Sequence, residues 1–518
     1  MHDRAVECGI LAADGGSDLT TTLDFAGELA SNVRSFIGEP RRMLIGGEWV
    51  EAADGATFPT IDPASGETIA LVAEAGAADV DRAVRAARTA LEGEWARLSP
   101  SDRGLLLFRL ADLIEQHAEE LSQLESLDNG KPLRNAREGD LPVVIDHFRY
   151  FAGWCTKLTG DTLPTALADM HVYTRRQPVG VVGAIIPWNF PLSMAAWKLA
   201  PALAAGCTVV LKPAEETPLS ALRLGELIQE VGFPPGVVNV LPGFGEPAGD
   251  ALVRHPDVDK IAFTGSAQVG SAIAAAAAQS LTPVSLELGG KSPNIVFPDA
   301  DIASAAETAA AAIFYETGQV CCAGSRLMVQ AAAYDEVLET VVDEARKLRL
   351  GPGLAPDTTM GPVVSREQLD RVTGYLDVGR AEGATAIVGG GRAAGALADG
   401  YFVEPTVLAD VSDEMTVCRD EIFGPVLVVQ RFDTREEAAA RANATRYGLA
   451  AGVWTSDVGT AHRFAAMLDV GTVWINCYSC FDASVPFGGF KQSGYGRDNG
   501  REALEKFLQT KAVWTKLD

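Results

Sequence analysis

Two adjacent cysteines, Cys321 and Cys322, sit in the run TGQVCCAGSR, residues 317–326, directly after an alanine-rich stretch. Gly318 and Gly324 flank them, so the backbone there can approach another molecule closely. A cysteine in such a loop attacks an electrophile if its pKa is lowered or a base stands beside it; otherwise the pair is two small buried hydrophobes. None of the six histidines is near in sequence. A carboxylate that could act as base is Glu287, in SLELGGKSPNIV, residues 285–296, at the end of an apolar run. A glutamate between leucines is either paired for structural reasons or has a raised pKa. In IIPWNFPL, residues 185–192, Asn189 stands between aromatic residues. Its amide could donate to a developing oxyanion, or it is only a turn residue between two prolines.

Three further stretches have binding chemistry. LKPAEETP places Lys212 and Glu215 after an apolar run, which suits ribose hydroxyls or a solvated loop. FTGSAQVG, residues 263–270, ends one apolar run and opens a helical one, where a phosphate could rest on free backbone N–H groups. Only Gly265 and Gly270 loosely match a glycine fingerprint, and the run is not GxGxxG. Cys477 and Cys480 form a CxxC, but no second pair or nearby histidine completes a zinc site, so buried thiols and no metal are expected.

The elements that must position these residues are clearest from residue 178 onward. VGVVGAIIP, CTVVLKP, VVNVLPG, KIAFTGS and VSLELGG read as buried strands with helices between them. The first of those helices ends in glycine at 206, and the next has its start marked by Thr217 and Pro218. Buried strands alternating with helices imply a parallel sheet covered on both faces, with ligands at the strand C-terminal ends. The fold class is therefore α/β, with a doubly wound nucleotide-binding domain. After Gly290 the alternation restarts: helices over 302–314 and 334–348, strands over 326–329, 426–432 and 472–475, a second α/β domain. Upstream, 44–50, 57–60 and 68–73 read as short strands, and 78–91 and 100–117 as helices. Residues 1–40 read as a polar leader of weak periodicity.

The chain has 518 residues, enough for two or three packed units, and 47% hydrophobic with 22% charged residues is ordinary for a globular protein. A net charge of −26 disfavours nucleic acid and anionic membranes as partners. No apolar run reaches 18 residues, and the N-terminus lacks the apolar core of a signal peptide, so a cytoplasmic location is expected.

Taken together, PWNFP, KPAEETP, FTGS, ELGGK, GQVCCAGSR, EIFGPV and PFGGFKQSGYGR resemble the aldehyde dehydrogenase superfamily in order and approximate spacing, from about residue 44 to the C-terminus. The resemblance implies a hydrolytic, non-acylating enzyme with Cys321 as nucleophile, Glu287 as general base and Asn189 as oxyanion amide. It implies NAD as cofactor, with NADP possible, because a carboxylate at Glu215 accepts from ribose hydroxyls and repels a 2′-phosphate. Lys212 and Glu215 would hold the adenosine ribose, Gly265 and Ser266 the pyrophosphate, and Val269 the adenine. Glu421 and Phe423 would face the nicotinamide ribose, with Ile185, Ile186, Pro187, Trp188, Gly245, Phe263 and Leu288 completing the cofactor cleft. A substrate wall of Phe190, Met194, Trp197, Tyr315, Cys322, Phe481 and Phe487 implies an apolar aliphatic or arylalkyl aldehyde. By the same resemblance, 41–158 with 179–290 would form the NAD-binding domain and 291–490 the catalytic domain. An oligomerisation arm from 159–178 and 491–518 would make a homodimer or homotetramer. Glu287 argues against a CoA-acylating relative. The Lys212, Glu215 and FTGS set argues against a cysteine esterase, and intact Cys321 and Glu287 against a silent binding protein.

Overall fold

The computed structural model describes residues 29–518. The fold is α/β, built on two open and mostly parallel sheets. In the first, five parallel strands lie in the order Val284–Leu288, Lys260–Gly265, Val181–Ile185, Thr208–Lys212, Val238–Val240. That order is doubly wound: the chain starts at Val181–Ile185, moves to one side, then returns to the other. VVGAI and TVVLK are buried at every position, as strands covered by helices on both faces must be. The switch point falls between Val181–Ile185 and Lys260–Gly265, so the segments 186–190 and 265–266 leave the sheet side by side.

At one edge Gly494–Tyr495 adds antiparallel to Val284–Leu288, with Glu287 opposite Gly494. At the other, Met43–Ile45 pairs with Val238–Val240 and with Glu48–Val50. The single strand expected over 44–50 is thus a hairpin. Gly46 and Gly47, both left-handed at φ 61° and 88°, reverse the chain between its halves.

The helices expected over 78–91, 100–117 and 334–348 form as Ala77–Glu92, Pro100–Gln116 and Tyr334–Lys347, and that over 302–314 as Ile302–Phe314. One start differs. Thr217 does not cap helix Leu219–Val231; its hydroxyl donates to the Trp188 carbonyl at 3.3 Å. The Leu219 N–H goes instead to Asp128 Oδ2 at 3.0 Å, on the distant helix Ala118–Asn129. The polar leader also needs correction at its end: Ser31–Ile37 is a helix whose Val33 and Phe36 enter the core. The remainder of the leader, 1–28, lies outside the described residues.

The second sheet has seven strands, in the order Thr385–Val388, Thr406–Ala409, Val426–Phe432, Arg326–Gln330, Pro293–Val296, Ala450–Trp454, Thr472–Ile475. All neighbours are parallel except the first pair. A third, small antiparallel sheet joins Leu508–Lys516 to Met170–Pro178 over nine residue pairs, with Thr162–Leu163 beside it. Of 491–518, only Leu508–Lys516 lies in that sheet; helix Gly500–Glu505 packs on helix Pro191–Ala205. The two large sheets meet through an apolar cluster of Trp197, Ala312, Cys322, Leu449, Trp474, Tyr478 and Phe487. No described helix is long and apolar enough to cross a membrane.

Candidate active site

Against that cluster opens a cavity of about 820 Å³, walled by strand ends of the first sheet and by helices and loops of both α/β units. Asn189, Glu287 and Cys321, separated by up to 132 positions in sequence, all face it. So do Pro187, Trp188, Gly265, Ser266, Leu288, Glu421 and Phe423, and so do Phe190, Met194, Trp197, Tyr315, Cys322, Phe481 and Phe487.

Cys321 follows a turn in which Glu316, Thr317 and Gly318 all have left-handed backbone, φ 50°, 56° and 71°. For the two non-glycine residues this costs about 1–2 kcal/mol each, so the surroundings must impose it. They do so through the Thr317 hydroxyl, which donates to the Gly361 carbonyl at 3.0 Å, and through Gln319 Oε1, which accepts the Val364 N–H at 2.9 Å. Gly318 has no room for a side chain, since a Cβ would stand 2.0 Å from the Gly424 carbonyl oxygen. Cys321 is partly exposed while Cys322 is buried. The hydrogen bond to the neighbouring Cys322 thiol, and then burial, push the Cys321 thiol well above its ordinary range. It therefore rests protonated.

Asn189 is buried, and its Nδ2 donates to the Gln319 carbonyl at 2.7 Å, two residues before Cys321. Its backbone is held from behind by Asn129, whose Nδ2 donates to the carbonyls of Trp188 at 2.8 Å and Asn189 at 3.4 Å.

Glu287 is 5% exposed, and neither carboxyl oxygen has a hydrogen-bond partner. The backbone of Gly488 lies against it: a Cβ there would come within 2.7 Å of Oε1. Burial first, and then the charge of Asp498, push Glu287 well above the usual carboxylate range; Lys198, Lys506 and Arg497 act the other way. Asp498 accepts from Lys198 Nζ at 2.5 Å and also pairs with Lys506, which hold it below the usual range against burial. Lys260, buried among these lysines, is pushed down to about 7. The half-buried Glu421 is pushed up to about 7 by desolvation and accepts the Gly290 N–H at 3.0 Å. A Cβ on Gly289 would lie 1.9 Å from its carboxyl, which makes glycine obligatory there.

The cleft at the switch point continues past the cavity. Ser266 Oγ accepts the Val269 N–H at 3.2 Å, and Gly265 and Ser266 precede the 11-residue helix Ala267–Ala277. A Cβ on Gly265 would meet the Phe263 ring at 2.5 Å, so this backbone stays bare. Lys212 Nζ donates to the Gly243 carbonyl at 2.5 Å and pairs with Glu215 at 3.3 Å. Glu215 is half-buried and Gly245 and Val269 are open to solvent, all outside the cavity, whereas Ile185, Ile186 and Phe263 are buried beneath the cleft. Cys477 and Cys480 are not the buried thiols expected: Cys477 is half-buried, and Cys480 is exposed and lines the cavity.

The residues around Glu287 and Asn189 escaped sequence reasoning. Lys198 had a signal, as the one charge in the apolar helix MAAWKLAPALAA, where a buried cation must find an anion. Asp498, 300 positions away, had none.

Fold and cavity define a class: a doubly wound nucleotide-type α/β unit with a second α/β unit closing over its cleft. Residues 49–513 match the family model of the aldehyde dehydrogenase family. The chain is 50% identical over 479 residues to a mitochondrial aldehyde dehydrogenase of Rattus norvegicus, spanning 92% of each protein. It is 48% identical over 478 residues to a mitochondrial benzaldehyde dehydrogenase of Antirrhinum majus, covering 92% of this chain and 89% of that one. The structure of the NAD+ complex of a Bacillus cereus aldehyde dehydrogenase superposes with a TM-score of 0.93 at 51% identity, over 95% of this chain and 99% of that one. The chain belongs to the aldehyde dehydrogenase family, and its reaction is the oxidation of an aldehyde.

Proposed function

We propose that the protein oxidises an apolar aliphatic or arylalkyl aldehyde to its acid with NAD, through a thioester on Cys321. The observation that carries this reading is the common cavity onto which Cys321, Glu287 and Asn189 face. The Cys321 sulfur adds to the carbonyl carbon while its proton passes to a base, and the new oxyanion is held by the Asn189 amide and the Cys321 backbone N–H. NAD, when bound, supplies the hydride acceptor. Glu287 then takes a proton from water, which attacks the thioester and releases the acid and the thiol. A carboxyl that burial has pushed well above the usual carboxylate range is suited to that exchange.

The cleft suits a dinucleotide: bare backbone at Gly265 and Ser266 for the pyrophosphate, Lys212 and a half-buried Glu215 for the ribose, Glu421 and Phe423 at the cavity. Glu215 favours NAD over NADP. The aromatic wall supports the substrate class. Trp197 meets Phe487 edge-on at 5.6 Å, and Phe481 stands 5.4 Å from Phe487. Two arginines line the cavity; Arg134 pairs with Glu138 at 2.8 Å and Arg371 donates to the Glu421 carbonyl at 2.7 Å, so both are already engaged. The relative named for benzaldehyde agrees with an aryl-accepting wall. The small exposed sheet of Met170–Pro178 and Leu508–Lys516 supports a homodimer or homotetramer, and free thiols at Cys155, Cys207, Cys418 and Cys477 suit the reducing cytoplasm.

The test is initial-rate absorbance at 340 nm with NAD or NADP across acetaldehyde, hexanal, phenylacetaldehyde, benzaldehyde, betaine aldehyde and succinic semialdehyde. NAD reduction without CoA, fastest on the apolar members and abolished in Cys321→Ala, is the expected result. A requirement for CoA moves the acylating alternative ahead, and turnover of charged aldehydes alone removes the apolar substrate class.

A further inference from the structure

Helix Ala118–Asn129 is polar at its C-terminal end and yet buried there. Glu125, Ser126, Asp128 and Asn129 are all inaccessible, and the chain turns at Gly130 into Lys131, only 2% exposed. Gly130 is left-handed at φ 88°, and a Cβ on it would lie 2.7 Å from both Pro63 and Pro362, so the turn that delivers Lys131 is tightly specified.

The ammonium meets four separate parts of the chain. It donates to Glu125 Oε1 at 2.9 Å and to Asp140 Oδ2 at 2.5 Å, stands 3.9 Å from Glu316 Oε2, and lies 4.6 Å from the centre of the Phe190 ring. The other oxygen of Glu125 accepts the Leu192 N–H at 3.2 Å, in the first turn of helix Pro191–Ala205. On one side, then, Lys131 reaches two residues that follow Asn189 closely, Phe190 through a cation–π contact and Leu192 through Glu125. On the other side it reaches the left-handed turn that leads into Cys321.

We propose that Lys131 is a positioning residue for the reaction at Cys321, its ammonium fastening the segment 188–192, which carries the Asn189 amide, to the turn 315–318, which carries the nucleophile. The inference rests on the roles given above to Asn189 and Cys321. A cluster with one cation and three carboxylates is a poor device for stability alone, because apolar packing of the same volume is as stable or more so. Burial pushes Asp140 and Glu316 up, while the charge of Lys131 pulls both down. What such a cluster supplies is a second fixed tie between two loops that otherwise meet through the Asn189 bond to the Gln319 carbonyl.

The experiment is a mutant cycle on the full chain with Lys131→Met, Asn189→Ala and the double variant, and in parallel Glu316→Gln with its own double. Three quantities are read: the first-turnover burst of NADH, the affinity for NADH by fluorescence, and the melting temperature. Lys131→Met is expected to slow the burst about 10²-fold, the scale of a misplacement near 1 Å, with NADH affinity unchanged. Because it acts through Asn189, it adds little once that amide is gone. Glu316→Gln gives a smaller loss with the same non-additivity, and carries the test alone if Lys131→Met does not fold. Multiplying effects in the doubles, or a lowered melting temperature with an intact burst, would make Lys131 a structural residue and overturn the proposal. An intact burst in Asn189→Ala would remove the oxyanion role itself, and the clamp with it.

Discussion

Two buried ionic clusters flank the cavity, and they are built with opposite sign. Around Lys131 one ammonium meets the carboxyls of Glu125, Asp140 and Glu316. Around Asp498 one carboxylate meets Lys198 and Lys506, with Lys260 nearby. The first is tied to the segments that carry Asn189 and Cys321 by a hydrogen bond from the Leu192 N–H and by an ion pair to Glu316 at 3.9 Å. The second makes no hydrogen bond to Glu287 and acts on it only as charge at a distance. In the same low-dielectric interior, bonded contact determines where a group stands, whereas unbonded charge determines how tightly it holds a proton.

The contrast can be broken most forcibly at Asp498. Asp498→Asn leaves two buried ammoniums without their anion, and should cost about 3–5 kcal/mol in urea denaturation. Where the variant still folds, the acid limb of kcat/KM should move to lower pH, since the lost charge is one that raised Glu287. Lys198→Met works in the opposite sense: removing a cation that lowers Glu287 should carry the limb to higher pH. Lys131→Met sharpens the comparison from the other cluster, lowering the plateau of the same profile while leaving the limb in place. A limb that moved with Lys131 would merge the two clusters into one device. The smallest effect is expected at the rim: Phe481→Ala should raise KM for phenylacetaldehyde about tenfold, with kcat and the limb untouched.

Much of the frame was legible in the chain because it is local. Runs such as VVGAI and TVVLK can only be strands covered on both faces, and they emerge within two residues of the expected limits. Where local reasoning failed, a distant group had taken over. Thr217 looked like a helix cap, but Asp128 holds the Leu219 N–H, leaving the hydroxyl for the Trp188 carbonyl. The hairpin over 43–50 was misread because two glycines can lengthen a turn or reverse it, and the choice lay with the neighbouring strand Val238–Val240. The CxxC thiols were expected inside because cysteine is usually buried; the cavity that exposes Cys480 is made by helices and loops from elsewhere.

By itself, then, the sequence determined the alternation of strand and helix, the doubly wound class, and the residue types at the strand ends, since each depends on neighbours within one element. It also carried the thiol, carboxyl and amide that now face one another. Only the tertiary structure decided what surrounds them: that Lys198 finds Asp498 300 positions away, and that Lys131 reaches both Phe190 and Glu316. Buried charges must be paired, but periodicity and spacing do not say with which partner, because the pairing is settled by how the two sheets close over the cavity.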